Sequence, residues 1–308
     1  MGATGRILVK WMMLVLLAVP LADAWADKDL PTKFSNRDTI RNTRHNMTQR
    51  QATGGPNGSS MDQYRNNYGE VCVYCHTPHG ANEAVAIPLW NRTIKATTYT
   101  TYNELGTTSL TQAVRQPGPN SIACLSCHDG QVAVDSVINM PGSGGYSKDQ
   151  RTTQNDAFLD QWNNTGIDAT VHVGLSPNPD EGCLACHSVT ATNRITGAGA
   201  TDFTMFVIGT DLRNDHPVGV SYPPVTNTDF KRPTATRTDV SWFDNDGDKT
   251  PDTTEVRLYN TGDGYMVECA SCHDPHGVPS AGRGSQFNPT FLRMANTGSQ
   301  LCLTCHTK

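Results

Sequence analysis

The chain contains two closely related stretches, Cys72-Val-Tyr-Cys75-His76-Thr-Pro-His79-Gly80 and Cys269-Ala-Ser-Cys272-His273-Asp-Pro-His276-Gly277. The shorter pattern Cys-x-x-Cys-His occurs three more times, at Cys124-Leu-Ser-Cys127-His128, Cys183-Leu-Ala-Cys186-His187 and Cys302-Leu-Thr-Cys305-His306. These five copies, numbered motifs 1 to 5 in chain order, use all ten cysteines. An even cysteine count can indicate disulfides, and a lone CxxC can indicate a zinc site or a redox dithiol. Because a histidine follows the second cysteine every time, the pattern instead predicts covalent attachment of five haem c groups. The proximal ligands of their irons are then His76, His128, His187, His273 and His306.

The remaining histidines supply candidate sixth ligands. The chain has ten histidines, and those outside the motif positions are His45, His79, His172, His216 and His276. Methionine is the main rival ligand, and an isolated histidine is often an ordinary surface residue. The equal counts favour histidine on both faces of every iron, which predicts lower potentials than histidine–methionine ligation gives.

His79 and His276 each lie only three residues after a proximal histidine. Neither can reach the far face of its own haem, because the porphyrin lies between, so each is expected to bind the iron of a neighbouring site. Each distal histidine should therefore approach a motif other than its nearest upstream one. For His216, Asp215 or a backbone carbonyl is expected to orient the imidazole through its other nitrogen.

At these residues the chain resembles the paired-CxxCH multihaem cytochromes of metal-respiring bacteria. The matching stretches are CHTPHGA, CLSCHDG, NDHPVGVSY, VECASCHDPHG and LCLTCHTK. The group is similar to outer-surface cytochromes that polymerise into conducting filaments, whereas periplasmic and porin-bound relatives share the same motifs. The resemblance implies that a histidine of one subunit can bind a haem of the next, and His45 is the residue that could do so here.

The composition is poor in core-forming residues. Hydrophobic residues make up 36% and aromatic residues 7% of the chain, whereas about 45–50% apolar residues is usual for globular domains. Porphyrins could supply the missing interior. The predicted fold is mostly coil with short helices and a few short β-hairpins, wrapped around a chain of covalently bound haems with little conventional hydrophobic core.

The first residues predict export. Arg6 and Lys10 precede an apolar run, and Ala24-Trp25-Ala26 is typical of a signal peptidase site. The alternative, a transmembrane helix, needs about 20 apolar residues. Residues 1–26 are thus predicted to be a signal peptide and residues 27–308 one pentahaem domain with no membrane span. Removal of the signal peptide changes the formal charge of the chain from −5 to −6, since two basic residues and one acidic residue are lost. A negative net charge gives no indication of nucleic acid binding, which calls for a basic face.

Two local patterns lie outside the motifs. Glu255–Tyr259 and Tyr265–Glu268, separated by Asn-Thr-Gly-Asp-Gly, predict a β-hairpin that leads into motif 4. Helical turns are expected to follow the motifs. Alternating acidic residues around Gly247, with Glu255 in twelfth place, indicate either a calcium loop or a solvated acidic turn. The candidate calcium ligands are Asp244, Asp246, Asp248, Asp252 and Glu255.

Three functions are compatible with these patterns. The first is electron transfer in the periplasm, on the outer surface or outside the cell. Its partners would be other redox proteins, extracellular electron acceptors or further copies of the chain. The second is reduction of a small oxidant such as nitrite or hydroxylamine, which needs one iron with an open position. The third is a binding module that uses the CxxCH motifs for zinc. The sequence favours electron transfer because every motif has a candidate sixth ligand.

Overall fold

The structure is a computed structural model that describes residues 37, 39–48, 65, 68–139, 172–185, 187, 188, 203–278 and 291–307. Within these ranges the chain is mostly coil, with short helices and one small antiparallel sheet. The coil-rich part of the predicted fold is therefore confirmed. The predicted signal peptide and Cys186 lie outside the described residues.

The helices coincide with the CxxCH motifs. Helix α1 spans Pro119–His128, α2 spans Cys269–Cys272 and α3 spans Gln300–Cys305. Motifs 1 and 3 lie in the 3-10 helices Val71–Tyr74 and Gly182–Ala185. The other 3-10 helices of the described chain are Ile40–Asn42, Tyr102–Leu105, Thr204–Phe206 and Thr297–Ser299.

After motifs 1, 2 and 4, the expectation that helical turns follow the motifs is wrong. The turns contain the motifs and end at them, because the motif histidine commonly leaves the helical conformation. His273 has φ −114° and ψ 143°, and His306 has φ −92° and ψ 150°, both in the extended region. In motifs 1 and 4 a proline two residues after the histidine further opposes a continued helix.

Five short strands form one antiparallel sheet in the order β1-β5-β4-β3-β2. Their bounds are Val220–Ser221 (β1), Ala235–Thr236 (β2), Val240–Trp242 (β3), Arg257–Asn260 (β4) and Tyr265–Val267 (β5). Tyr259 pairs with Met266 across β4 and β5, which confirms the predicted hairpin. The hairpin ends directly before α2, so the sheet positions motif 4.

The hydrophobic clusters are small. One is formed by Tyr68, Tyr74 and Val137, and the other by Tyr99, Leu125 and Leu212. Several large polar side chains are buried as well, among them Arg92 and Glu268. The described part of the chain therefore depends strongly on polar contacts between loops.

Helices α1 and α2 are joined by exchanged hydrogen bonds at their first turns. The backbone N–H of Gly118 and the hydroxyl of Ser121 donate to the carboxylate of Glu268. In return, the N–H of Cys269 donates to Oγ of Ser121 over 2.9 Å. A side chain at Gly118 would meet Oε1 of Glu268, since an added Cβ would lie 2.6 Å from it. This contact holds motifs 2 and 4 side by side.

Candidate functional site

Motifs 1, 2, 4 and 5 each present their two cysteines and histidine from one helical turn. In a helix, residues i, i+3 and i+4 share a face, which is the spacing of the two cysteines and the histidine in Cys-x-x-Cys-His. The turn is closed by the histidine N–H, which donates to the carbonyl of the first cysteine. The observed distances are 2.8 Å in motif 1, 3.0 Å in motif 3, 3.1 Å in motif 4 and 2.9 Å in motif 5.

Motifs 1, 4 and 5 share a second feature, a three-residue segment that pairs with the motif histidine. We call these segments clips; they are residues 89–91 for motif 1, 291–293 for motif 4 and 229–231 for motif 5. The middle residue of each clip forms an antiparallel bridge with the histidine, as Trp90 does with His76. Two backbone hydrogen bonds flank this bridge. The N–H of the residue after the histidine donates to the carbonyl of the first clip residue, and the N–H of the last clip residue donates to the carbonyl of the second cysteine.

The clip geometry is the same in all three places. The N–H of Asn91 donates to Cys75 O, that of Arg293 to Cys272 O and that of Lys231 to Cys305 O, each over 2.8 Å. The N–H groups of Thr77, Asp274 and Thr307 donate to the carbonyl of the first residue of their clip over 2.8, 3.0 and 2.9 Å. A clip thus fixes the backbone of the histidine in an extended conformation. Sequence reasoning missed the clips because they have no common sequence.

No disulfide joins the described cysteines. Burial raises the pKa of Cys75 and of Cys272 to about 12, and that of Cys305 to about 11. Within the described ranges, the groups with metal-ligand spacing contain only acidic residues. Among the described residues, no cysteine belongs to such a group, whereas a zinc site requires a tetrahedral cluster of ligands.

The structure brings motif histidines next to candidate distal histidines. The ring centres of His76 and His276 are 6.2 Å apart, with 17° between the planes. Those of His128 and His45 are 6.1 Å apart, with 86° between the planes. Burial, and then the nearby His216, lower the pKa of His306. His276 and His216 therefore lie beside motifs other than the ones that they follow in the chain.

These distances fit a single metal atom between two rings. Two imidazoles on opposite faces of one iron have ring centres about 6 Å apart, since each metal–nitrogen bond is about 2 Å and each nitrogen lies about 1 Å from its ring centre. Burial favours the neutral form, which a metal ligand requires, at three of these rings. Burial, and then the nearby His128, lower the pKa of His45 to about 4. Burial likewise lowers the pKa of His76 and of His128.

The Nδ1 atoms of six histidines face oxygen acceptors, which is the arrangement that leaves Nε2 with a lone pair for a metal. Four of the acceptors are backbone carbonyls. His76 faces Pro88 O at 2.8 Å, His128 faces Phe206 O at 2.6 Å, His45 faces Pro275 O at 3.3 Å and His216 faces Pro217 O at 3.0 Å. For His216 the carbonyl alternative is thus the one observed.

Two acceptors are carboxylates. His172 faces Oδ1 of Asp135 at 2.8 Å, and His276 faces Oδ1 of Asp274 at 3.0 Å. Both aspartates have side chains that are nearly inaccessible to solvent. Sequence reasoning missed both aspartates. Asp274 could have been found, because it stands between two histidines in the sequence.

The other predicted site residues are held by different contacts. His187 stacks on Phe203 with ring centres 3.9 Å apart. His79 accepts hydrogen bonds at its backbone carbonyl from Thr77 and Asn139. His273 takes part in the bridge to Leu292.

Motifs 1, 2, 4 and 5 are linked in that order by direct contacts. Arg92, which follows the clip of motif 1, donates to the carbonyl and hydroxyl of Ser126 inside motif 2 over 3.0 and 3.2 Å. The N–H of Cys269 in motif 4 donates to Oγ of Ser121, in the helix of motif 2, over 2.9 Å. Thr304 of motif 5 donates to the sulfur of Met294, the residue after the clip of motif 4, over 3.1 Å.

Motif 3 lies beside this series. The N–H of Phe203 donates to His187 O over 2.7 Å, and Phe203 packs against Phe206. Phe206 in turn supplies the carbonyl that faces His128. Through these contacts, motif 3 is joined to motif 2.

The predicted calcium ligands come together in two groups. The carboxylates of Asp244, Asp246 and Glu255 form one group, and those of Asp246, Asp248 and Asp252 form the other; within each group the ligand atoms lie within 4.8 Å of one another. Buried Glu255 accepts from the N–H groups of Asn245 and Asp252. Both the calcium loop and the solvated turn are compatible with this arrangement.

Comparison with known proteins identifies one part of the chain. Residues 264–308 match the family described as doubled CXXCH motif. No match is found among curated proteins. No helix in the described ranges has the length and apolar character needed to cross a membrane. The matched segment contains motifs 4 and 5, and this match supports a c-type cytochrome-like protein in which CXXCH attaches haem c covalently.

Proposed function

We propose that the protein is an exported electron carrier with five haem c groups, each held by one motif and ligated by histidine on both faces. The observation that supports this most directly is the spacing of 6.2 Å between His76 and His276 and of 6.1 Å between His128 and His45. Each pair combines a motif histidine with a spare one, and each leaves room for one iron.

The proposed ligands follow from the placements. His276 is the distal ligand at motif 1, His45 at motif 2 and His216 at motif 5. His79 and His172 then serve motifs 3 and 4, whose proximal ligands are His187 and His273. Because His45 lies beside His128 of the same chain, we propose that it acts within the subunit.

Each bound haem supplies one-electron exchange between ferric and ferrous iron. The chain contributes orientation, since the carbonyls of Pro88, Phe206, Pro275 and Pro217 fix four of the rings. It also contributes proximity, because the contacts between motifs 1, 2, 4 and 5 bring their attachment points together. We propose that electrons pass along this series, with motif 3 as a branch at motif 2.

The proposed location is the periplasm, the outer surface or the cell exterior, with residues 1–26 as the signal peptide. Redox proteins or extracellular electron acceptors would exchange electrons with the haems of motifs 1, 2, 4 and 5. In a homopolymer, the haem series of one copy would continue into that of the next. None of these roles requires the chain to transform a metabolite.

The test is the intact mass and spectrum of the exported protein. We expect a mass increase equal to five haems and a wholly low-spin spectrum of the ferric protein. After reduction, carbon monoxide should not alter the spectrum of the ferrous protein. Fewer than five additions would contradict the proposed haem count. A high-spin ferric signal, or carbon monoxide binding to one haem in five, would instead favour reduction of a small oxidant.

A further inference from the structure

The segment between His273 and His276 contacts three of the histidine sites. His273 belongs to motif 4, and His276 lies beside His76 of motif 1. The carbonyl of Pro275 accepts from Nδ1 of His45, which lies beside His128 of motif 2. The one remaining residue of this segment is Asp274, which carries its only carboxylate.

Both oxygens of Asp274 have fixed partners. Oδ1 accepts from Nδ1 of His276 over 3.0 Å and from its backbone N–H over 3.1 Å. Oδ2 accepts from Nη1 of Arg293 over 3.1 Å. Arg293 is buried and also donates to the carbonyls of Ala270 and Thr253. The carboxylate is therefore held in place from its far side and cannot turn away from the imidazole.

Motif 1 provides an internal comparison. It has the same clip geometry, and its Thr77 occupies the place of Asp274 in the otherwise equivalent stretch. The hydroxyl of Thr77 donates to the backbone carbonyl of His79 over 2.9 Å. Thr77 has no negative charge to offer the imidazole of His79, so the two equivalent stretches differ in this one respect.

We propose that Asp274 is the positioning residue for His276 and that it lowers the reduction potential of the iron shared by His76 and His276. This inference rests on the proposed function. A carboxylate that accepts from Nδ1 makes the imidazole a more basic ligand. A more basic ligand stabilises ferric iron over ferrous iron, and the proton stays on His276 when one electron arrives.

Asp274→Asn tests the charge, because it keeps an oxygen that can accept from the ring. Asp274→Thr tests the whole interaction, because it places at this position the residue that motif 1 has at Thr77. Asp211→Asn is the control, since it removes an exposed aspartate paired with Arg213. The probe is a spectroelectrochemical titration of the haem-loaded proteins, with intact mass to count haems.

We expect both Asp274 variants to keep five haems. In each variant, the one-electron equilibrium of one haem should shift tenfold or more toward ferrous iron, which raises its reduction potential by about 59 mV or more. Asp211→Asn should leave all components within a twofold change. Conversion of one haem to a high-spin form in Asp274→Thr would also support a positioning role. A fully haem-loaded, low-spin Asp274→Thr protein with every component unchanged would overturn the inference, whereas fewer than five haems in the unmodified protein would overturn the proposed function instead.

Discussion

Histidine side chains in this protein face two kinds of oxygen acceptor. His45 and His216 face backbone carbonyls, whereas His172 and His276 face aspartate carboxylates. A carboxylate increases the electron donation of an imidazole more than a carbonyl does. These four of the five proposed distal ligands are therefore not equivalent, and we expect their haems to titrate over a range of potentials and not as one group.

The angle between paired rings gives a prediction for individual residues. The planes of His76 and His276 differ by 17°, whereas those of His128 and His45 differ by 86°. Nearly parallel ligand planes give a rhombic low-spin ferric signal in electron paramagnetic resonance, and perpendicular planes give a highly anisotropic one. We expect His276→Ala to remove a rhombic component and His45→Ala to remove an anisotropic one.

Each of these two variants serves as the control for the other. Either one should also let carbon monoxide bind to a single reduced haem, because one axial position opens. The proposed pairing would be contradicted if both variants lost the same signal, or if both kept every low-spin signal.

At the scale of elements, the exchange between α1 and α2 gives a prediction for stability. Glu268→Ala removes the acceptor of Gly118 N–H and of the Ser121 hydroxyl, and both donors are at a largely buried contact. A buried donor left without a partner costs about 1–3 kcal/mol. We expect a loss of that size in the free energy of unfolding, measured by urea titration of the haem-loaded protein.

The matched control is Glu104→Ala, because Glu104 is exposed in the 3-10 helix Tyr102–Leu105. It should change the free energy of unfolding by less than about 0.5 kcal/mol. Equal effects from the two substitutions would show that the contact between α1 and α2 contributes nothing.

The acidic loop gives a second prediction at this scale. If the loop binds calcium, the ion should stabilise the folded protein by about 2.7 kcal/mol at 100 times the dissociation constant. The Tm of the haem-loaded protein should rise with calcium and not with magnesium at the same ionic strength. Asp246→Asn should abolish the rise, and Asp239→Asn, at an exposed position outside the loop, should keep it. An unchanged Tm would identify the loop as a solvated turn.

Sequence reasoning predicted the hairpin of β4 and β5, because its cause lies in adjacent residues. It expected the helical turns after the motifs, whereas they contain the motifs. It did not predict the clips, because residues 229–231 lie far from motif 5 in the chain and share no sequence with residues 89–91. The pairing of His76 with His276 also joins distant parts of the chain, and only the ring contacts in the folded protein specify it.

At the scale of the whole molecule, the small hydrophobic clusters predict dependence on the cofactor. Each cluster contains three buried residues, and burial of apolar area is the main source of folding free energy. We expect haem-free protein to be largely unfolded, with no cooperative transition in calorimetry, whereas the haem-loaded protein should show one. A cooperative transition in haem-free material would contradict this.

The positions of the clips and distal ligands along the chain have a consequence for biogenesis. A polypeptide that emerges N-terminus first presents motif 1 long before His276 follows, so the earliest attachment site would wait for its second axial ligand until translocation is nearly finished. Motif 5 meets the opposite situation, because His216 and residues 229–231 have already emerged when Cys302 appears. Maturation would then close motif 2 before motif 1, although motif 1 emerges first. A chain truncated before position 276 would keep the iron of motif 1 open on one face.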